Sequence, residues 1–270
     1  MTGSTIGDCD VVKPGCPVKL LAVSGDRRRE YLFFLRQGGV YSTVAGPVKA
    51  EDLVEAGYGG ILEAARGTIY VVRPSWLEIL EYRGKRRTQV IYPKDSGYMV
   101  LRAGLRPGSR VFEAGFGSGF LSTVILSLVC PTGELHVFEV RREFADIALE
   151  NVGLSGFEEC LRLSLGDVLE GLRGYGDGFF DAGFLDLPDP WRVLGEASRV
   201  LKPGAPLLVF LPTSSQVDKL LSRLEGFFAV ERVEELLLRS WEPNPGALRP
   251  SPRMIGHTGF IVVLRALRGG

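Results

Sequence analysis

With 270 residues and 45% hydrophobic content, the chain can bury a full core, either as one large domain with a small one or as a single decorated α/β domain. Its 32 basic and 32 acidic residues cancel, which argues against a protein that coats nucleic acid non-specifically. The longest apolar runs, around residues 120–130 and 207–211, fall short of the roughly 20 residues that a membrane span needs, and the N-terminus shows no basic-plus-apolar leader, so a cytoplasmic chain with no membrane partner is expected. Cys9, Cys16, Cys130 and Cys160 form no CxxC pair, and with two histidines no Cys/His metal site is expected; Cys130 and Cys160, in apolar contexts, read as buried thiols. Seven Lys against 25 Arg, with two Asn and three Gln, lean towards a GC-rich or thermophilic source. Basic residues gather at Arg83, Lys85, Arg86, Arg87 and Lys94 beside aromatics, and again at Arg239, Arg249 and Arg253 near Trp241. Phosphate-contacting surfaces look like this, and so do ordinary solvated faces.

Residues 1–80 carry short β-prone runs at 18–23, 30–35, 40–44 and 68–73, separated by glycine-rich turns, which predicts a small antiparallel β domain. A linking helix is expected over 74–85, with Trp76, Ile79 and Leu80 on one face; 88–92 and Pro93 then lead into a helix over 96–103. From Arg110 the texture changes. Strands are expected at 110–114, 135–139, 161–165, 180–185, 206–211, 227–238 and 258–264, with helices over 118–129, 142–152, 190–200 and 214–224. The alternation makes 81–270 a doubly wound α/β domain with ligands at the carboxyl ends of its strands. The last two strands lack an intervening helix, since residues 241–252 hold four prolines, so an antiparallel pair should close the sheet. No internal repeat is visible, and Gly269-Gly270 reads as a frayed end.

The chain is organised around Glu113-Ala114-Gly115-Phe116-Gly117-Ser118-Gly119-Phe120-Leu121-Ser122, an apolar strand running through three alternate glycines into an apolar helix. Glycine allows positive φ and close backbone approach, and the N–H groups of the first helical turn face the site. Alone, this turn suits nicotinamide, flavin, phosphate and S-adenosylmethionine sites alike. Glu139 ends the next strand, where a carboxylate can accept both hydroxyls of a ribose. Position 120, where a dinucleotide fingerprint has its third glycine, is Phe, and Asp167 ends the third strand, where it can accept from an adenine amino group. The fourth strand ends in Asp186-Leu187-Pro188-Asp189-Pro190-Trp191.

Glu113-x-Gly-x-Gly-x-Gly, Glu139, Asp167 and Asp186 in that order resemble the Rossmann-like, seven-stranded class I S-adenosylmethionine-dependent methyltransferases. Three further segments narrow the resemblance: Arg87-Thr88-Gln89-Val90-Ile91-Tyr92-Pro93-Lys94-Asp95, the Asp186–Trp191 run, and Arg249-Pro250-Ser251-Pro252-Arg253-Met254-Ile255-Gly256-His257-Thr258. Together they are similar to the tRNA (adenine-N1)-methyltransferases of T-loop position 58, the archaeal members in particular, over residues 40–267. The resemblance implies S-adenosylmethionine as cofactor and tRNA as substrate. Gln89, Glu113, Gly115, Gly117, Ser118, Gly119, Phe120, Leu121 and Ser122 would surround the methionine and ribose, Glu139 would bind the ribose, and Asp167 with Val168 would recognise adenine. It further implies Asp186 as the essential, cofactor-adjacent aspartate, Tyr92 and His257 near the target base, and a homotetramer; Arg253, in the third segment, is a substrate residue that contacts phosphate or ties down the proline-rich loop. A cofactor-free tRNA-binding partner subunit, a methyltransferase for another substrate and, further away, an oxidoreductase remain the alternatives.

Overall fold

The structure is a computed structural model that describes residues 9–87 and 89–268. Thr88, at the head of the expected 88–92 run, and the Gly269-Gly270 tail lie outside the described residues. The chain falls into two compact units, one comprising residues up to Gly84 with Gly153–Gly156, the other Lys85–Val152 with Phe157 onward.

In the first unit, β1 (Pro17–Ser24), β2 (Arg27–Phe34), β3 (Val40–Thr43), β4 (Gly46–Lys49), α1 (Ala50–Ala56), β5 (Ile61–Ala64), β6 (Gly67–Val72) and α2 (Trp76–Arg83) follow in order. An antiparallel sheet of order β2-β1-β6-β5 and a β3-β4 hairpin realise the expected small β unit. Alternation on β1 sends Val18, Leu20 and Ala22 inward to meet Leu35, Leu53, Ile69 and Val71. The edge strand β2 exposes Arg27, Arg28 and Arg29, charges that discourage edge-to-edge pairing. Helix α2 begins in a capping box, Ser75 Oγ accepting from Glu78 N at 3.2 Å while Ser75 N donates to Glu78 Oε2 at 2.8 Å. Cys9 and Cys16 are joined by a disulfide.

The second unit runs α3 (Pro93–Arg102), β7 (Arg110–Ala114), α4 (Phe120–Val129), β8 (Glu134–Glu139), α5 (Arg142–Gly153), β9 (Leu161–Leu165), α6 (Val168–Arg173), β10 (Ala182–Leu185), α7 (Leu194–Val200), β11 (Pro206–Leu211), α8 (Ser214–Leu221), β12 (Phe228–Glu234), β13 (Trp241–Glu242), β14 (Arg249–Pro250) and β15 (Phe260–Ala266). Its seven-stranded sheet has the order β12-β15-β11-β10-β7-β8-β9. The five strands β7 to β11 are parallel, whereas β15 runs antiparallel to both β11 and β12. The α/β class, the seven-stranded sheet and its antiparallel closing pair are as expected from the sequence. Both faces are covered, with Phe112 and Leu185 in one apolar cluster and Val111 and Phe184 in the other. Between β7 and β10 the strand order reverses, which opens a crevice at their carboxyl ends.

The structure corrects several expectations. Helix α6 is not expected from the sequence, because its six residues include Gly171 and offer too little length for a helical period. The proline-rich connection carries the short β13-β14 hairpin, whose end pairs need few N–H donors. Cys130 and Cys160 are not thiols but a disulfide with Cα atoms 5.9 Å apart, because the end of α4 meets the 3₁₀ turn Glu158–Cys160. No free cysteine and no metal-ligating cluster occurs among the described residues.

Candidate cofactor and active site

The crevice at the strand ends holds a cavity of about 760 Å³. Gln89, Gly115, Gly117, Glu139, Asp167, Val168 and Asp186, all read from the sequence as cofactor residues, line it. Glu113, Ser118, Phe120 and Leu121 line a small adjoining recess together with Gln89, Gly115 and Asp186. Gly119 and Ser122 face neither. Gly119 is the N-cap of α4 at φ 75°, and a Cβ there would stand 2.9 Å from the Ala148 carbonyl oxygen on α5. Glycine at this position is set by helix packing. At Gly115 the constraint is the site itself, since a Cβ would lie 3.1 Å from the backbone oxygen of Asp186.

Each acidic group has a distinct setting. Glu139 is buried, its Oε1 accepting from Arg141 N at 3.0 Å and its Oε2 from Gly117 N at 3.4 Å, so it ties the loop after β8 to the glycine turn. Asp167 caps α6 through Oδ1, which accepts from Leu169 N at 2.8 Å, while Oδ2 lies 3.7 Å from the Arg192 guanidinium. Capping and facing the cavity are thus both true of it. Glu113 is sealed beneath the turn and accepts from Ser122 Oγ at 2.6 Å. Withdrawal from water pushes its carboxyl up to about 8; the Ser122 hydrogen bond works against that rise and the Asp186 charge adds to it.

Asp186 follows β10, its backbone N donating to Ala114 O at 2.7 Å. Its side chain opens into the cavity yet is crowded by protein on its other sides, and this desolvation pushes the carboxyl up to about 6. No described residue donates a hydrogen bond to that carboxylate, and the 3₁₀ turn Pro190–Val193 starts after Asp189, so Asp186 caps no helix. An accessible carboxylate to which no described residue donates suits a ligand that brings a donor.

Tyr92, Arg253 and His257 do not line the cavity. Tyr92 is the N-cap residue of α3, Arg253 is exposed beyond β14, and His257 reaches the carbonyl of Pro212, which does line it. Around them a buried network joins two of the motifs. Lys94 Nζ donates to Asp95 Oδ1 at 2.7 Å, Thr258 Oγ1 at 2.7 Å and Leu236 O at 2.8 Å, and Thr258 Oγ1 donates to Asp95 Oδ2 at 2.7 Å. Sequence reasoning missed Phe138, Arg192 and Gln216 in the cavity wall, and also Asn151. The buried Asn151 amide bonds the Lys85 backbone at both ends and Ser118 O at 2.8 Å, fixing the chain beside the glycine turn. Its rarity was a signal: it is one of two Asn in the chain.

The family model described as the tRNA methyltransferase complex GCD14 subunit matches residues 67–252. The chain belongs to this family. Membership of the GCD14 family bears out the resemblance read from the three motifs. Among relatives, the tRNA (adenine(58)-N(1))-methyltransferase TrmI of Thermus thermophilus is 37% identical over 243 residues, covering 89% of this chain and 94% of its own. The tRNA (adenine(57)-N(1)/adenine(58)-N(1))-methyltransferase TrmI of Methanocaldococcus jannaschii is 33% identical, with 83% and 87% covered. Of solved structures, a tRNA methyltransferase TrmI from Aquifex aeolicus superposes with a TM-score of 0.81 at 31% identity, over 93% of this chain and 97% of that one. A protein from Thermotoga maritima described as an S-adenosylmethionine-dependent O-methyltransferase gives 0.80 at 31% identity, over 94% of each chain. The class I methyltransferase fold is therefore shown for this GCD14-family chain.

Proposed function

We propose that the protein transfers a methyl group from S-adenosylmethionine to N1 of adenine 58 in the T-loop of tRNA, and to adenine 57 as a second target, giving 1-methyladenosine. The observation that carries this reading is Asp186: an accessible carboxylate to which no described residue donates, directly beside Gly115 at the strand-order reversal. The cofactor fits the residues present. Gly115 leaves backbone open where a Cβ would strike Asp186, the Glu139 carboxylate faces the cavity from the end of β8, and Asp167 offers an oxygen beyond its capping bond. Gln89 and residues 113–122 would hold the methionine and ribose, Glu139 the ribose hydroxyls, and Asp167 with Val168 the adenine. When bound, S-adenosylmethionine supplies an electrophilic methyl group.

N1 of adenine carries an in-plane lone pair, so the protein need not create the nucleophile. Alignment is the requirement, and Asp186 meets it by accepting from the exocyclic amino group and favouring the positive charge that develops on the base. At neutral pH its carboxyl is ionised and ready to accept. Tyr92 and Arg253 are assigned to RNA contacts outside the cavity wall, in keeping with base extrusion from the T-loop. The β-rich residues 1–80 form the domain that helps grip tRNA, a role the exposed Arg27, Arg28 and Arg29 favour, and 81–270 the catalytic domain. A non-catalytic partner subunit is disfavoured by the intact Glu113, Gly115, Gly117, Gly119, Glu139, Asp167 and Asp186. We further assign a homotetramer acting in the cytoplasm. Among the described residues no helix is long and apolar enough to cross a membrane, and internal disulfides are compatible with the cytoplasm of a hyperthermophile.

The test is methylation of unmodified tRNA transcripts, wild type and substituted at adenine 57 or 58, followed by nucleoside mass spectrometry. Formation of 1-methyladenosine that falls with the adenine 58 substitution, the remainder being lost when adenine 57 is substituted as well, is expected. Its absence at every temperature, or methyl groups on oxygen instead, refutes the reading.

A further inference from the structure

His257 stands outside the cavity wall, and both nitrogens of its ring face acceptors. Nδ1 lies 2.9 Å from Glu235 Oε2, Nε2 lies 3.0 Å from the carbonyl oxygen of Pro212, and the ring sits 5.0 Å from that of Phe260. A neutral imidazole carries one N–H; a ring that donates to a carbonyl at one nitrogen and a carboxylate at the other carries two and is a cation. The Pro212 carbonyl, and then Glu235, raise the ring's pKa, while the Lys94 charge opposes them. Among the described residues the charged groups acting on the ring are Glu235, after β12, and Lys94 on α3, itself paired with Asp95; β11 leads to the Pro212 carbonyl and β15 carries the Phe260 ring. Lys94 is itself committed to Asp95, Leu236 and Thr258.

What the ring holds is a piece of cavity wall. Pro212 lines the cavity, and the next residue, Thr213, caps α8 by accepting from Gln216 N at 3.3 Å. Gln216 lines the cavity too, its Nε2 3.4 Å from the carbonyl of Pro188 in the Asp186–Trp191 loop. Sheet order separates the two sides: Pro212 follows β11, on one flank of β10 and Asp186, while the glycine turn follows β7, Glu139 ends β8 and Asp167 comes after β9 on the other.

We propose that His257 is a positively charged positioning residue, an imidazolium tie between Glu235 and Pro212 that holds the Pro212–Gln216 wall for the RNA base and not for the cofactor. This rests on the proposed function, which places the target adenine on that flank of Asp186. Loss of the proton leaves one N–H for two acceptors, so RNA binding weakens as pH rises while cofactor binding does not.

Because the chain has only two histidines, His136 and His257, nitrogen-15 histidine spectra separate them without ambiguity, and His257→Gln assigns the pair. In a titration over about pH 5 to 9, His257 is expected to keep both nitrogens protonated above the ordinary imidazole value of about 6.5, whereas burial lowers the pKa of His136. A neutral single-tautomer His257 near pH 7 overturns the proposal. In steady-state assays on the transcript, KM for RNA should rise about three- to fivefold over that range, the modest effect expected of a half-exposed charge. His257→Gln, with one donor, should show the raised KM at all pH values, with kcat and the calorimetric affinity for S-adenosylmethionine unchanged. Equal loss of RNA and cofactor affinity marks a merely structural role and also overturns it. If wild-type protein methylates no transcript, the proposed reaction fails, and the spectra decide the charge of His257 by themselves.

Discussion

The hydroxyl of Ser122 donates a 2.6 Å hydrogen bond to Oε2 of Glu113, and both groups are sealed from solvent where β7 meets α4. Burial raises the Glu113 carboxyl to about 8, so at neutral pH the native protein keeps a proton that the unfolded chain, with a carboxyl near about 4.3, has released. Stability from this group is therefore fully present below about pH 4.3 and declines as pH rises towards 8, by on the order of 1 kcal/mol per pH unit. Glu113→Gln keeps an acceptor for Ser122 and cannot ionise, so its denaturation free energy should lose that slope. Equal slopes for the two proteins in a pH series of urea unfolding curves would exclude a neutral native Glu113.

Burial pushes the Asp186 carboxyl up less far, to about 6, and only the ionised form carries the negative charge that favours a cation developing on the base. kcat/KM for RNA should climb through about pH 6, as expected for an essential base form, before the three- to fivefold rise in KM that deprotonation of His257 brings at higher pH. Asp186→Asn removes the charge while keeping the shape, and a single preorganised electrostatic group is typically worth about 10²- to 10³-fold in kcat. The variant should melt at or near the wild-type temperature, since no described hydrogen bond to that carboxylate is lost. Near wild-type turnover would remove Asp186 from the reaction.

These two carboxyls show what the sequence made legible. Strand ends could be read from apolar runs, and the glycines, Glu139, Asp167 and Asp186 all fall at the ends of parallel strands, where one-dimensional order maps onto one crevice. Contacts between distant segments could not be read. Nothing near His257 announces Pro212, 45 residues away, and nothing near Asn151 announces Lys85, 66 residues away. The Cys130–Cys160 pair spans 30 residues, and apolar surroundings suit a disulfide as well as a thiol. Gly119 matched the cofactor pattern and turned out to answer a packing demand as well.

That demand is testable against a control in the same unit. Gly119→Ala places a residue at φ 75°, which costs about 1–2 kcal/mol for an L side chain, and sets its Cβ 2.9 Å from the Ala148 oxygen, so α4 and α5 must part. Both melting temperature and affinity for S-adenosylhomocysteine should fall. Gly97 lies inside α3 with nothing within 4 Å of an added Cβ, and Gly97→Ala should stabilise by about 0.5–1 kcal/mol. Calorimetric melting of both variants checks the contrast, and equal behaviour would mean that the α4–α5 contact is not tight.

The Cys130–Cys160 bridge joins the end of α4 to the entry of β9 and encloses β8 and α5. Cross-linking over 30 residues removes chain entropy from the unfolded state worth about 3–4 kcal/mol, against about 2 kcal/mol for the Cys9–Cys16 bridge, whose partners are 7 residues apart. The longer bridge ties the far ends of the two elements that lead to the cavity, since α4 starts at the glycine turn and β9 runs towards Asp167. Replacing Cys130 and Cys160 together by Ala should lower the unfolding free energy more than replacing Cys9 and Cys16, and should weaken cofactor binding, which the shorter bridge, in the other unit, does not touch. Reductant should lower the wild-type melting temperature and have a smaller effect on the Cys130/Cys160 double variant. If reductant lowers both equally, the long bridge contributes nothing to the stability of the fold.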